Sequence, residues 1–192
     1  VSVRSTDLGL RVYRTSVREP FPLIEMINEG FASSVSRDGR WVYFRSLQSG
    51  RWELWRADYP NASRFEQITT DGGYEGVEGP DGKSLFFVKR HERDGVWKQL
   101  LPKGRASRLV DRLYRRSLFV PASRGLFYIA LLPEDSRQAL FFRESQSGAV
   151  TPIHTFDRQI FWGLVLSSDE RSLYYSQYDV GNADLMLVED FR

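Results

Sequence analysis

Residues 36–44 read SRDGRWVYF, and two further stretches resemble them: GPDGKSLFF at 79–87 and SSDERSLYY at 167–175. Asp38 and Asp81 lie 43 positions apart, and Asp81 and Asp169 lie 88 apart, which is two periods of 44. A weaker copy belongs midway, and residues 121–129 (PASRGLFYI) supply it, with the aromatic pair kept but without the aspartate. The chain is therefore a repeat with a period of about 43 residues.

Each copy of the repeat predicts a β-hairpin. Asp and Gly tolerate the left-handed backbone of a two-residue turn, and the β-branched and aromatic residues that follow suit a half-buried strand. A third apolar segment comes about ten residues later, as at 53–56 (ELWR), and a fourth follows another turn, as at 65–69 (FEQIT). Four short strands in a repeat of this length are typical of β-propeller blades.

The repeat extends to both ends of the chain. Residues 3–5, 12–14 and 23–27 match the second, third and fourth strands of a blade, and 162–192 supplies three strands. We therefore expect an all-β propeller of eighteen strands in four-stranded antiparallel blades, about four and a half blades in all. The expected blades span roughly 1–29 (partial), 30–73, 74–115, 116–160 and 161–192 (partial).

An unmatched fourth strand bears on the size of the ring. Propellers close when one terminus completes the blade that the other began, so we expect the 192 residues to be a segment of a larger ring. A five-bladed ring with two incomplete blades is the alternative. Residue 1 is Val rather than Met, and residues 1–5 alternate like a strand, which indicates an excised or processed chain. A complete protein without its initiator methionine is the other interpretation.

Composition limits the classes of function. The chain has 41% hydrophobic, 27% charged and 14% aromatic residues, which suits a globular β protein with a core. A net charge of +2 gives no strong field toward nucleic acid or an anionic membrane. The lack of cysteine excludes disulfides, thiolate metal sites and cysteine nucleophiles. No apolar run approaches the roughly 18 residues of a membrane span.

The Asp-Gly hairpin with its apolar and aromatic strand, together with residues 65–72 (FEQITTDG), resembles the TolB-type, WD-repeat-like β-propeller repeat. It is also similar to the N-terminal propeller of dipeptidyl-peptidase and prolyl-oligopeptidase enzymes. The resemblance is strongest at 31–89 and 162–192 and departs at Ala122 and Glu170. The C-terminal residues resemble those of propellers fused behind CadC-type winged-helix regulators, which implies a sensor or scaffold domain without its DNA-binding part.

No catalytic residue and no cofactor are expected in this chain. A hydrolase of this kind needs a Gly-x-Ser-x-Gly nucleophile elbow, and the sequence contains none. His91 lies in a charged stretch that predicts an exposed loop, and His154 lies in a predicted outer strand. Glu75 and Glu78 are a candidate carboxylate pair for a glycan-active enzyme, but their odd spacing sends them to opposite faces of a strand.

The repeated aspartates raise a calcium hypothesis that their spacing does not support. An EF-hand loop needs several carboxylates at alternate positions and a terminal glutamate, and none of the turns has this set. We expect Asp38, Asp81 and Asp169 to cap their own turns by hydrogen bonds to the backbone, and we predict no metal site.

The densest basic run comprises Arg105, Arg108, Arg112, Arg115 and Arg116. As a helix, this segment would carry an apolar stripe beside a basic face, which suits nucleic acid. The repeat instead assigns it to the fourth strand of one blade and the connection to the next. Since regularly spaced aromatic platforms are also lacking, nucleic acid is the less favoured partner.

Candidate binding residues follow from propeller geometry, in which the loops that lead into the inner strands gather at one mouth of the channel. The residues predicted there are Phe31, Tyr74, Glu75, Ser117, Phe161 and Trp162. Aromatic rings beside a carboxylate can hold a peptide or a partner loop. The alternative is that these aromatics seal neighbouring blades.

The predicted function is therefore non-catalytic binding of a protein, a peptide or a small ligand, by the sensor or scaffold part of a larger bacterial protein such as a transcriptional regulator. The alternative is an accessory propeller that gates substrate for a serine peptidase or another hydrolase. A winged helix encoded upstream would support the first, and an α/β-hydrolase domain downstream the second. The resemblance implies a periplasmic or exported location, with the cytoplasm as the alternative.

Overall fold

The structure is a computed structural model that describes the backbone of residues 2–6, 9–13, 22–26, 31–89, 95–179 and 182–189, and the side chains of 33–89 and 95–178. Every regular element in these ranges is a β-strand. The described part of the chain accordingly contains no helix that could cross a membrane.

Eighteen strands in the described ranges form five antiparallel sheets, and neighbours in each sheet are consecutive in the chain. The first sheet contains β1 (Ser2–Thr6), β2 (Gly9–Tyr13) and β3 (Pro22–Met26). The second contains β4 (Phe31–Val35), β5 (Trp41–Ser46), β6 (Glu53–Asp58) and β7 (Phe65–Gln67). The third contains β8 (Glu75–Glu78), β9 (Ser84–Val88), β10 (Trp97–Leu100) and β11 (Ser107–Arg108).

The fourth sheet contains β12 (Phe119–Ala122), β13 (Gly125–Leu131), β14 (Gln138–Glu144) and β15 (Val150–Thr155). The fifth contains β16 (Ile160–Leu166), β17 (Ser172–Asp179) and β18 (Asn182–Glu189). Sheets of this size and order are propeller blades, as the repeat predicts. Residues 105–116 contain strand β11 and no helix, so the assignment of the arginine run by the repeat is confirmed.

The sheets divide between two compact units. Unit 1 comprises residues 1–90 and 97–107, and unit 2 comprises residues 91–96 and 108–192. A single propeller over all 192 residues, with the blade boundaries given above, stays a prediction.

Unit 1 buries its core between the second and third sheets. The buried cluster consists of Tyr43, Leu54, Ile68, Leu85 and Phe87. Polar contacts join the same two sheets: the Gly76 N–H donates to Ser33 Oγ at 2.6 Å, and the Gly76 carbonyl accepts from that hydroxyl at 2.8 Å. The Tyr43 hydroxyl donates to Glu78 Oε2 at 2.6 Å, and burial, with this carboxylate beside it, raises the pKa of Tyr43.

Unit 2 buries a separate core between the fourth and fifth sheets. Its large buried side chains are Leu118, Phe127, Ile129, Leu140, Phe156, Ile160, Leu164, Leu173 and Tyr175. Phe156 packs edge-on against Tyr175 with ring centroids 4.9 Å apart. The aromatic residues that follow each turn thus contribute to the cores, as expected for residues on the pleated faces of blades.

The Asp-Gly turns are longer than the two-residue turns predicted. The Ser36 N–H donates to the Trp41 carbonyl at 2.8 Å, which closes a loop of four residues, and the same bond closes the turns within 79–84 and 167–172. The loop is longer because two turn residues precede the residue with left-handed backbone, which in the first of these turns is Gly39 with φ 72°. The copy that lacks the aspartate is the one with a two-residue loop, at residues 123–124.

The expected capping by the three turn aspartates is confirmed. Asp38 Oδ1 accepts from the Arg40 N–H at 2.9 Å and from the Ser36 hydroxyl at 2.7 Å, and Asp169 repeats both contacts in its own turn. These bonds lower the pKa of Asp38 and Asp169. Asp81 is partly buried, which opposes ionisation, but its bonds to backbone N–H groups prevail and its pKa is lowered as well.

Candidate functional site

The predicted mouth residues lie at or just before the starts of inner strands. Phe31 opens β4, with its side chain outside the described residues, and Glu75 opens β8 directly after Tyr74. Ser117 precedes β12, and Phe161 and Trp162 lie near the start of β16. Tyr74 and Glu75 belong to unit 1 and the other three described residues to unit 2, so each group is considered in its own unit.

Tyr74 packs between two sheets of unit 1. The guanidinium carbon of Arg45 lies 3.9 Å from the centroid of the Tyr74 ring, and Trp52 meets the same ring edge-on at 6.0 Å. Arg45 belongs to β5 and Tyr74 leads into β8, so the contact joins neighbouring sheets. This is the kind of contact expected if the aromatic residues seal neighbouring blades instead of binding a partner.

Phe161 and Trp162 belong to a more exposed group in unit 2, which we call the aromatic–arginine cluster: Arg115, Arg116, Phe161, Trp162 and Tyr178. Phe161 is 41% exposed and Tyr178 is 53% exposed. Their rings lie 5.8 Å apart, and Phe161 meets Trp162 edge-on at 5.7 Å. The guanidinium carbon of Arg115 lies 4.9 Å from the Phe161 ring, and that of Arg116 lies 5.1 Å from the Trp162 ring.

A β-bulge lies in strand β16, which carries Phe161 and Trp162 of this cluster. The pairing of β16 with β17 shifts between Ile160 and Leu164, and Gly163 inside the shift has φ +82°. The Trp162 N–H donates to Ser176 Oγ at 3.2 Å, and the Ser176 hydroxyl donates back to the Trp162 carbonyl. Bulges of this kind bend a strand and redirect its side chains, and here Phe161 is exposed and Trp162 half-buried between the buried Ile160 and Leu164.

Two polar atoms at the base of the cluster are buried without a hydrogen-bond partner. They are Arg115 Nε and Ser117 Oγ. Buried polar atoms in folded proteins are almost always paired, so each exception calls for an explanation. Ser117 is therefore a predicted mouth residue that adjoins the two arginines of the cluster in sequence and carries unused hydrogen-bonding capacity.

Sequence reasoning missed three members of the cluster. Arg115 and Arg116 belong to the basic run, but nothing in that run indicates aromatic faces as their contacts. Tyr178 lies at the far end of β17 and reaches the cluster because its N–H donates to the Gln159 carbonyl at 2.9 Å. A cross-strand contact of this kind leaves no local signal in the sequence. The two arginines could have been found, because they directly precede the predicted mouth residue Ser117.

The remaining titratable candidates have other surroundings where the structure describes them. His154 is exposed in β15, as predicted, and its ring meets Phe156 edge-on at 5.0 Å. His91 lies outside the described residues. Glu78 accepts from the Tyr43 hydroxyl and from the Arg37 N–H. No group of three His, Cys, Asp or Glu side chains among the described residues is placed to hold a metal ion.

Solved structures show what this chain is similar to. No protein-family model matches the sequence, and no curated protein matches it significantly. TolB from Acinetobacter baumannii superposes with a TM-score of 0.74 at 17% identity, over 97% of this chain and 48% of that one. A protein from Agrobacterium tumefaciens assigned as a TolB gives 0.70 at 16% identity, over 97% and 72%. The chain has the TolB-type β-propeller fold.

The TolB-type fold is also that of peptidase propellers. A prolyl endopeptidase superposes with a TM-score of 0.62 at 12% identity, over 94% of this chain and 30% of that one. The chain thus spans about half of the first TolB and less of the peptidase. Because one fold carries both binding proteins and enzyme domains, the function has to be argued from the site rather than from the TolB-type architecture.

Proposed function

We propose that this TolB-type propeller is a non-catalytic binding domain that holds an acidic peptide or protein segment on the aromatic–arginine cluster. The observation that carries the proposal is the exposure of Phe161 and Tyr178 beside two guanidinium groups. Aromatic and arginine side chains dominate the energetic centres of protein interfaces. The aromatic members lie on the paired strands β16 and β17, which keeps the cost of ordering them on binding low, and the two arginines lie in the turn before β12.

The charge of the cluster supports an acidic partner. Arg115 and Arg116 contribute two positive charges, and the five residues of the cluster include no carboxylate. The guanidinium carbons lie 4.9 and 5.1 Å from the centroids of aromatic rings, and a guanidinium next to a ring can also bind a carboxylate through paired N–H donors. A segment with Asp or Glu next to an apolar residue would match both parts of the surface.

The wider context that we propose is the sensor or scaffold part of a larger bacterial protein, such as an exported domain of a transcriptional regulator. The repeat and the lack of a nucleophile elbow in the sequence support it. A propeller that gates substrate for a peptidase is the competing class. The full-length gene separates them, since a winged helix upstream supports the first and a hydrolase domain downstream supports the second.

The test is selection of peptides on the folded chain followed by affinity measurements. A random peptide library is displayed, binders are sequenced, and the affinity of a selected peptide is measured by fluorescence anisotropy. Phe161→Ala and Arg115→Ala are each expected to weaken binding about tenfold. Phe65→Ala is the matched control, because Phe65 is also 41% exposed but belongs to unit 1.

The proposal is upheld if acidic peptides dominate the selection and the two cluster variants lose affinity while Phe65→Ala does not. Selected peptides without acidic residues, or equal affinity for all three variants, would contradict it. If Trp162→Ala lowers the melting temperature without changing affinity, Trp162 packs between blades and does not contact the peptide.

A further inference from the structure

Unit 1 contains a cavity of about 480 Å³ between the end of the second sheet and the middle strands β9 and β10 of the third sheet, with the turn before β11. This volume falls within the range of about 300–1,000 Å³ that is typical of small-molecule sites. The cavity lies in unit 1, whereas the aromatic–arginine cluster lies in unit 2, so its ligand is a separate question from the proposed function.

The floor of the cavity is apolar and rigid. Ile68 and Phe87 line it and are 4% and 1% exposed. Gln99 also lines it, is 5% exposed, and is held by a 2.9 Å hydrogen bond from its Nε2 to the Ile68 carbonyl. A floor of one aromatic ring, one aliphatic chain and one amide suits the apolar body of a small organic molecule.

The rim of the cavity is cationic. Lys89, Lys103 and Arg105 line it, and among the residues that the structure describes Asp71 is the one carboxylate in the lining. The Lys89 side chain is 16% exposed; its Nζ lies 3.8 Å from the centroid of the Trp97 ring and 2.8 Å from Asp71 Oδ2. The Asp71 side chain is 80% exposed, so in this ion pair the lysine is the side chain fixed by packing and the aspartate is the one that faces solvent.

Three cations against one carboxylate leave two positive charges at the mouth. A further carboxylate, that of Glu53, is fully buried behind the cavity wall. Glu53 accepts from Arg51 Nε at 2.7 Å and from the Thr69 hydroxyl at 2.5 Å, and the Gly72 N–H donates to it as well. Its charge is therefore compensated by Arg51 and by these hydrogen bonds.

The loops that carry the rim are closely packed. A Cβ on Gly72, whose φ is +90°, would lie 2.9 Å from the Lys89 carbonyl oxygen, so the loop after Asp71 presses on the backbone that carries Lys89. A Cβ on Gly104 would lie 2.7 Å from the backbone of Leu100, so the turn that carries Lys103 and Arg105 is equally tight. This packing fixes the backbone from which the three cationic side chains extend, which lowers the cost of ordering them around an anion.

We infer that this cavity binds a small organic dianion, with the negative groups on Lys89, Lys103 and Arg105 and the apolar body on Phe87 and Ile68. A phosphate monoester and a dicarboxylate share this chemistry, and both would neutralise the two excess charges. Arginine and lysine are the side chains that bind either group, through paired N–H donors or as a point charge.

In the experiment, phenyl phosphate and phthalate are titrated separately into the 192-residue chain, and isothermal titration calorimetry at low salt measures the affinity of each. Benzyl alcohol is the neutral control ligand. Lys103→Ala combined with Arg105→Ala is expected to weaken binding at least about fivefold, because both exposed cations at the rim are lost. Asp71→Asn is expected to tighten binding about two- to fivefold, because it removes the carboxylate that competes for Lys89.

The matched control is Lys83→Ala combined with Arg64→Ala, which removes two exposed cations of unit 1 away from the cavity. The inference is upheld if this control keeps its affinity while Lys103→Ala with Arg105→Ala weakens binding and Asp71→Asn tightens it. Tighter binding of phenyl phosphate or of phthalate then shows whether the ligand is a phosphate monoester or a dicarboxylate. No binding of either dianion, equal loss in the control, or equal binding of benzyl alcohol would overturn it.

Discussion

Glu170 stands where two other copies of the repeat have glycine, and its backbone adopts φ 58°. Its carboxylate accepts from the Ser123 N–H at 2.9 Å and from the Ser123 hydroxyl at 2.5 Å. Ser123 belongs to the turn that lacks the aspartate. In unit 1, Glu78 makes the corresponding contact with the Arg37 N–H at 3.1 Å. Glu170, which departs from the repeat, thus contacts the turn that lacks the aspartate and joins neighbouring sheets of unit 2.

Two substitutions of Glu170 separate the effect of its backbone conformation on the free energy of unfolding from the effect of its carboxylate. Glu170→Ala is expected to lower the free energy of unfolding by about 1–2 kcal/mol, because the bonds to Ser123 are lost. Glu170→Gly should cost about 1 kcal/mol less than alanine, since glycine adopts positive φ without strain. Urea unfolding measures both. Glu134→Ala, at an exposed loop position, is the control and should be neutral; equal stability of the alanine and glycine variants would refute the argument.

At the scale of elements, the two-residue turn at 123–124 depends on the glycine that follows it. Gly125 opens β13, and a Cβ there would overlap the Arg143 carbonyl oxygen and lie 2.7 Å from the Phe142 ring, both on β14. Phe142 in turn packs on Phe127, with ring centroids 4.6 Å apart. Close approach of the two strands, rather than left-handed backbone, is what requires glycine at this position.

Gly125→Ala is therefore expected to lower the free energy of unfolding by about 3 kcal/mol or more, because β13 must move away from β14. Gly50→Ala is the comparison: Gly50 has φ +87°, and a Cβ added to it would have no atom within 4 Å, so only backbone strain of about 1–2 kcal/mol is expected. Chemical denaturation of both variants measures the difference. Similar losses in the two variants would show that β13 and β14 tolerate the extra carbon.

At the scale of the whole molecule, each unit is stabilised by contacts between neighbouring sheets. Leu54 of β6 is fully buried and shares a cluster with Leu85 of β9. A Cβ on Gly76 would lie 2.8 Å from Leu54 Cδ1, so the leucine fills the space that this glycine of β8 leaves open. In repeat architectures stability arises largely at such interfaces between neighbours.

Leu54→Ala is expected to cost about 2–5 kcal/mol, as is usual for truncating a fully buried leucine. Amide hydrogen exchange should accelerate in β8 and β9 as well as in β5 and β6, because the cavity opens between the two sheets. Leu100→Ala, at a position of the same unit that is 61% exposed, should change neither stability nor exchange. Acceleration confined to β5 and β6 would mean that the second sheet opens without the third.

The sequence by itself determined the repeat, its strands and its capped turns. These features depend on contacts within a few residues, such as the bond that the Arg40 N–H donates to Asp38, so the copies that keep the aspartate carry the capped turn and the spacing of the copies reveals the blades. The aromatic excess likewise indicated strands whose faces are buried. The position of His154 in an outer strand followed from the same periodicity.

Only the tertiary structure decided the length of the turns and the makeup of the two candidate sites. The bulge at Gly163 shifts the pairing register of β16 with β17, which a local pattern does not predict, and the Phe161 ring lies 5.8 Å from the ring of Tyr178 on the neighbouring strand. The cavity of unit 1 collects its cations from separate loops, among them Lys89 and Lys103. Contacts of this kind join residues that are distant in sequence, and a local pattern carries no information about which distant surfaces will meet.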